Sequence, residues 1–184
     1  VLLRIGVAFY LGDVVDAPPL MTDQRSYHAL GARLLEGHGY SFDQPWYPFT
    51  PPDTPTAHWS FLYPLFVAAV YALCGIHPLA VRVVQAVLGG ILLPWMVYRL
   101  AHRLFETRGQ GDKKFEIRNS KFTSSPPHLV SPSLPLMATA IAALYAYFIL
   151  YAATLMTETF FIVALLWSLE VGLRLGAHLR EGSR

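Results

Sequence analysis

Two short strings in the sequence each place a carboxylate directly after an apolar stretch, and the two acids together could carry out chemistry. LMTD occupies residues 20–23 and LMTE occupies residues 155–158, so the acids are Asp23 and Glu158. Two carboxylates that converge on one cleft can serve as a general base and as a group that positions an acceptor or a metal ion. The alternative is that each acid only begins a helix, where it satisfies free N–H groups and favours the helix dipole.

Composition indicates the class of protein that must position these acids. The chain is 54% hydrophobic and 14% charged, whereas a soluble domain carries about 25% charged residues. We therefore predict an all-α membrane protein, a polytopic helical bundle with an outer loop that carries juxtamembrane helices. A soluble helical protein with a buried core is the alternative, which the length of the apolar segments disfavours. The single cysteine excludes an intrachain disulfide, and nothing in the sequence indicates nucleic-acid binding.

Apolar blocks predict the membrane spans. Residues 1–12 are apolar but shorter than the roughly 20 residues that cross a bilayer core, so we expect a truncated first span. A signal peptide is the alternative, although the usual small-residue cleavage site is missing. The blocks 79–101, 134–153 and 159–177 are each long enough to span the membrane.

Residues 13–78 are predicted to form the outer loop with its juxtamembrane helices. Residues 24–36 place Tyr27 and Leu30 on one helical face, which is typical of an amphipathic helix at a membrane surface. The block 58–74 is slightly short for a span, and we expect a re-entrant or juxtamembrane helix there.

The distribution of charge predicts the orientation. Residues 13–57 are mainly acidic, whereas residues 102–133 are basic and resemble a low-complexity insert to which we assign no regular structure. Because positively charged loops stay in the cytoplasm, residues 102–133 are predicted to be cytoplasmic and residues 13–78 to lie outside. The turn at 154–158 then also lies outside, so both acids face the same side of a multi-pass protein of the plasma (inner) membrane.

Other polar residues allow two interpretations each. Arg82, at the start of block 79–101, could bind a lipid phosphate with both arms of its guanidinium group, or could simply extend toward the membrane interface. Glu170 lies four residues before Arg174, which predicts a helix-surface ion pair rather than a proton relay. The histidines of the 13–78 segment show no metal-ligand spacing, so we predict no dedicated metal site.

Five segments, taken in order and with their spacing, carry a family resemblance. They are spread along the chain outside residues 107–133, and they resemble the N-terminal part of the polytopic GT-C glycosyltransferases. The subset in question is the protein mannosyltransferase-like family, which includes bacterial lipid A aminoarabinose transferases and related lipopolysaccharide sugar transferases. The segments are Asp23-x-x-x-Tyr27, ALGARLLEGHGY (29–40), FLYPLFVAAVYALCGIHPLAVRVVQAVLGG (61–90), YRLAHRLFE (98–106) and LMTETFF (155–161).

The resemblance implies an enzyme that uses a polyprenyl-phosphate sugar as donor and a glycan, lipid or protein as acceptor. Its catalytic aspartate in the first outer loop is matched by Asp23, and a second acidic position in the next outer turn is matched by Glu158. Family members often carry another acid directly after the first. Gln24 stands there in this chain, which argues against a paired-acid motif, although a divalent cation is compatible with the rest. The family also has further membrane helices, so the resemblance implies an N-terminal fragment.

The mechanism implied by the resemblance is inverting transfer. Asp23 accepts the proton of the acceptor hydroxyl or amine, while Glu158 orients the acceptor or helps to hold a cation. Arg82, Tyr27 and His58 are predicted to bind the substrate, with Arg82 toward the donor phosphate. The alternatives are an inactive fragment, a membrane scaffold, or a piece of a transporter, which would need ionisable residues at mid-membrane.

Overall fold

The computed structural model describes residues 1–15, 23–119 and 133–182. Within these ranges all regular secondary structure is helical, and extended pairing is limited to two isolated bridges in one loop. The all-helical prediction is confirmed. The helices are α1 (Leu2–Leu11), α2 (Asp23–Leu35), α3 (Leu62–Cys74), α4 (Pro78–Asn119), α5 (Ser133–Leu144), α6 (Ala146–Ala153) and α7 (Glu158–Gly182).

Helices α2 and α3 form where the sequence predicts helices in the 13–78 segment. Helix α2 ends just before Gly37 and Gly39, whose φ angles of 83° and 73° lie in the left-handed region that glycine adopts readily. Helix α3 has 13 residues and is therefore about 20 Å long, which is less than the roughly 30 Å of a bilayer core. This length suits the predicted juxtamembrane or re-entrant helix.

Two helices in the described ranges are long and apolar enough to cross a membrane. They are Pro78–Phe105 within α4 and Glu158–Leu179 within α7. The predicted span 134–153 is interrupted at Tyr145, and α5 and α6 count as a third candidate only when they are taken together as one broken span. These helices are compatible with a membrane protein.

Helix α4 continues beyond its predicted end at residue 101. It reaches Asn119, so the first part of the segment to which we assigned no regular structure is helical, while residues 120–132 lie outside the described ranges. Residues 102–119 contain no proline, and their arginine, lysine and glutamate residues favour helix, whereas Gly109 and Gly111 disfavour it. Extending an existing helix also costs less than starting a new one.

Val1–Gly90 and Ala146–Phe161 form one compact unit. Its core contains the buried side chains of Tyr27 on α2 and of Tyr63 and Val67 on α3. Helices α2 and α3 approach each other closely at Gly31, where an added Cβ atom would lie 2.5 Å from Cγ1 of Val67. Glycine is therefore required at this helix contact.

Ile91–Tyr145 and Ile162–Arg184 form a second compact unit. Its buried polar centre is Glu170, whose side chain is 3% exposed. The predicted ion pair with Arg174 is present, but it is not at the helix surface, because Glu170 is buried and Arg99 and Arg103 bind the same carboxylate oxygen at 2.9 and 3.1 Å.

Candidate functional site

A cleft of about 650 Å³ opens between α2 and the loop that follows it. Asp23, Tyr27 and His58, which are three of the five predicted site residues, line this cleft together. Its volume is in the range of small-molecule sites, roughly 300–1,000 Å³. The remaining lining residues are Arg25, Ser26, Pro45, Trp46, Tyr47, Trp59 and Ser60.

The loop after α2 forms the opposite wall of the cleft, and Trp46 holds this loop in place. The indole Nε1 of Trp46 donates a hydrogen bond to the Ser26 hydroxyl on α2 at 2.9 Å. The ring stacks on the buried Phe42 with 4.6 Å between the ring centroids, and the backbones of Trp46 and Thr50 pair in both directions. The loop is therefore anchored to the helix that carries Asp23.

Two further contacts fix the ends of this loop. Arg33 of α2 forms an ion pair with Asp53, and the Tyr40 hydroxyl donates to the backbone carbonyl of Trp59 at 3.1 Å. Burial raises the pKa of Tyr40 to about 12. The phenol therefore stays protonated and remains a donor at all physiological pH values.

Five of the residues that line the cleft carry aromatic rings. Trp59 meets Tyr27 edge to face at 5.7 Å, and the His58 ring meets Tyr47 at 5.6 Å and Trp59 at 5.2 Å. Edge-to-face packing fixes the orientation of each ring. The lining of the cleft is consequently apolar on its ring faces and polar at the His58, Tyr27 and Asp23 atoms.

Asp23 is the first residue of α2, and its side chain is half-buried. A carboxylate at a helix N-terminus is stabilised by the helix dipole, which agrees with the interpretation that it begins the helix. The same side chain lines the cleft, where it can accept a proton from a bound molecule. The position of Asp23 is therefore compatible with both interpretations.

Glu158 is the first residue of α7 and does not line the cleft. Its Oε2 atom is buried and has no hydrogen-bond partner within the described ranges. Burial raises the pKa of Tyr27, the negative charges of Asp23 and Glu158 raise it further, and a hydrogen bond with Thr157 opposes them. The charges of both predicted acids thus raise the pKa of the same tyrosine.

Gln24 connects the two acidic strings, a role that sequence reasoning missed. Its side chain is 2% exposed, and its Oε1 accepts hydrogen bonds from Nη2 of Arg82 at 3.2 Å and from the backbone N–H of Leu155 at 3.3 Å. The residue after Asp23 is therefore bonded to the turn that precedes Glu158. Gln24 thus links the start of α2 to the segment that leads into α7.

Arg82 is buried, at 1% exposure, and does not line the cleft. Its Nη1 donates to the carbonyls of Leu11, at 3.2 Å, and Gly12, and its Nη2 also donates to the carbonyl of Val14 at 2.8 Å. Both terminal nitrogens of the guanidinium group thus contact protein oxygen atoms at the end of α1. The predicted role of Arg82 toward a donor phosphate stays a prediction.

Gln85 lies one helical turn beyond Arg82 and is fully buried. Its Nε2 donates to the carbonyls of Tyr151, Thr154 and Met156 at 2.8, 2.9 and 3.2 Å. These carbonyls belong to the end of α6 and to the turn before Glu158. The signal for this role was present in the sequence, because a polar side chain in an apolar helix usually faces inward.

Comparisons with known proteins return no match, since no protein-family model, no curated protein and no solved structure matches the chain. No group of three histidine, cysteine, aspartate or glutamate side chains suited to a metal ion occurs in the part of the chain that the structure describes. Support for a function therefore comes from the sequence motifs and from the geometry of the cleft.

Proposed function

We propose that this chain is part of a multi-pass membrane glycosyltransferase of the GT-C type. It transfers a sugar from a polyprenyl-phosphate donor to an acceptor at the outer face of the plasma membrane. The observation that carries the proposal is the cleft in which Asp23, Tyr27 and His58 lie together. Glu158 supports it through its effect on the same Tyr27.

The lining of the cleft suits a phosphosugar. A sugar ring presents C–H groups on its faces and hydroxyl groups at its edge, which matches aromatic faces such as Trp59 combined with the polar atoms of Tyr27 and His58. Sites of this kind combine an apolar lining with a few polar groups that set the orientation of the ligand. We assign sugar contacts to Tyr27 and His58 on this basis.

Asp23 is the general base in the proposed reaction. Its carboxylate accepts the proton of the acceptor hydroxyl or amine as that oxygen or nitrogen attacks the anomeric carbon. The bond between the anomeric carbon and the phosphate oxygen breaks on the opposite face of the sugar. Polyprenyl phosphate leaves with the electron pair, and the configuration at the anomeric carbon is inverted.

Glu158 orients the acceptor or helps to hold a divalent cation, as the resemblance implies. Its Oε2 is buried without a hydrogen-bond partner in the described ranges and the side chain does not line the cleft, so this role is supported by the resemblance alone. The two candidate spans in α4 and α7 support a membrane location, which a donor with a polyprenyl tail requires.

The proposal is tested by replacing Asp23 with asparagine in the full-length enzyme that contains this chain, assayed in membranes, because the resemblance implies an N-terminal fragment that is inactive by itself. Transfer of labelled sugar from a polyprenyl-phosphate donor is expected to fall at least about a hundredfold, since a positioned general base contributes roughly 10²–10⁴. Asp43→Asn is the matched control, because Asp43 is exposed and does not line this cleft. Wild-type transfer by Asp23→Asn would exclude Asp23 as the base.

Donor binding is measured separately through the tryptophan residues of the cleft. Saturable quenching of Trp46 and Trp59 fluorescence by the donor is expected in the unsubstituted chain and in Asp23→Asn alike. Trp59→Leu is expected to weaken donor binding. Binding without transfer in the unsubstituted full-length protein would favour the inactive-scaffold alternative over the enzyme.

A further inference from the structure

A second recess, of about 310 Å³, lies in the other compact unit and has a different chemistry. It is lined by Tyr98, Arg99, His102 and Arg103, from two consecutive turns of α4. Every lining side chain has a hydrogen-bond donor, and none is a carboxylate. Guanidinium, imidazole and phenol donors on one surface are the set that recognises an oxyanion, phosphate above all.

Arg99 is already held in position for such a ligand. Its Nη2 lies 2.9 Å from Glu170 Oε1, and its guanidinium carbon lies 4.9 Å from the centroid of the Trp95 ring. The ion pair and the cation–π contact restrict the side chain from two sides, while 31% of it stays exposed to the recess. A planar guanidinium group held in this way loses little freedom when it binds an anion with both arms.

The carboxylate behind Arg99 is shared between arginine side chains. Arg99 and Arg174 both contact Glu170, and Arg103 also lies 3.1 Å from it. Because a guanidinium group has five N–H donors, Arg99 can hold this carboxylate and bind a further anion at the recess.

The position of the recess along α4 favours a lipid as the source of that anion. The apolar stretch of α4 ends at Phe105, so the recess occupies the last turns of the candidate span. Trp95, Tyr98 and Leu104 are 49%, 37% and 50% exposed around it. Aromatic residues next to arginine at the end of a span mark the level of the lipid headgroups.

We propose that Arg99 and the residues lining this recess form a binding site for the phosphate of an anionic phospholipid headgroup. The site is separate from the cleft at α2 and does not depend on the proposed transferase activity. Arg99 binds the phosphate oxygens, Tyr98 and His102 donate further hydrogen bonds, and the exposed apolar side chains contact the acyl chains.

The test measures lipid binding to the purified full chain by native mass spectrometry in detergent. The affinity for phosphatidylglycerol is compared with the affinity for phosphatidylcholine that has identical acyl chains. The chain is expected to bind phosphatidylglycerol more tightly, and Arg99→Gln is expected to weaken this binding about tenfold, the effect of losing hydrogen bonds to a charged group. Arg33→Gln is the matched control, because it removes one ion-paired arginine from the other compact unit and is expected to change the affinity less than twofold.

Arg99→Lys separates a loss of lipid binding from a folding defect. The variant keeps a positive charge beside Glu170 but loses the planar guanidinium group. A severalfold loss of phosphatidylglycerol affinity is expected for it, with unchanged helix content by circular dichroism. Inorganic phosphate forms the second arm of the test. Phosphatidylglycerol binding that persists in millimolar phosphate supports the lipid as the ligand.

Displacement of phosphatidylglycerol by millimolar phosphate, with the same dependence on Arg99, supports the phosphate site and identifies the free anion as its ligand. Equal affinity of the unsubstituted chain, Arg99→Gln and Arg99→Lys for phosphatidylglycerol overturns the proposal. Equal affinity of the unsubstituted chain for the two lipids, together with no binding of inorganic phosphate, overturns it as well.

Discussion

Replacing Gln85 with methionine tests whether this side chain holds the turn that presents Glu158. Methionine has a similar length and is apolar, so the substitution removes the hydrogen bonds with little change in volume. The lost bonds are those from Nε2 to the carbonyls of Tyr151, Thr154 and Met156 and the bond that Oε1 accepts from the Tyr63 hydroxyl at 2.6 Å.

The expected loss of stability depends on which of these groups keeps another hydrogen-bond partner in Gln85→Met. The Thr154 carbonyl still accepts from the Met156 backbone N–H at 2.9 Å, and the Tyr151 carbonyl keeps the Thr154 hydroxyl at 3.4 Å. The Met156 carbonyl and the Tyr63 hydroxyl are left without a partner within the described ranges. At about 1–2 kcal/mol for each buried unsatisfied group, the free energy of unfolding is expected to fall by roughly 2–4 kcal/mol.

Two measurements check this expectation. Unfolding in mixed detergent–SDS micelles, followed by circular dichroism, gives the loss of stability, and Gln44→Met is the control because Gln44 is exposed and its replacement is expected to cost less than about 0.5 kcal/mol. Hydrogen exchange of the backbone amides at 154–158 is expected to accelerate at least about thirtyfold. Unchanged stability and unchanged exchange in Gln85→Met would refute the role of Gln85 as the clamp of this turn.

Two further predictions concern the packing and the ionisation of α2. Gly31→Ala is expected to destabilise the fold by about 1–3 kcal/mol in the same unfolding assay, because its Cβ would lie 2.5 Å from Val67. Gly6→Ala is the control, because an added Cβ there has nothing within 4 Å. Equal changes in the free energy of unfolding for the two variants would contradict the close contact at Gly31. Burial and the Arg82 guanidinium lower the pKa of His28. The imidazole is therefore protonated more readily in the unfolded state, and the free energy of unfolding should fall as the pH drops below about 6.5. This fall should be smaller in His28→Gln, and an identical pH profile of unfolding would argue against it.

The sequence predicted the local features of this chain well. Helices α2 and α3 occur where apolar periodicity placed them, and glycines follow the end of α2. Helix α4 was predicted too short, because its basic continuation to Asn119 carries no apolar signal from which a helix could be recognised. Its helix propensity was the available signal.

The candidate site was predictable only in part. Asp23, Tyr27 and His58 share a cleft, which follows from their common location in the 13–78 segment and from a loop that folds back onto α2. Glu158 could be predicted to lie on the same side of a membrane from charge alone, but its influence on Tyr27 could not. The roles of Gln24 and Gln85 depend on partners that no local pattern identifies.

By itself, the sequence determined helix content, the candidate spans in α4 and α7 and the acids that begin α2 and α7, because these depend on neighbouring residues. Only the tertiary structure decided which buried polar groups meet. Gln24 binds Arg82, 58 residues away, and the backbone of Leu155, 131 residues away. Such partners are brought together by the requirement that each buried donor and acceptor be satisfied, and that requirement acts in space rather than along the chain.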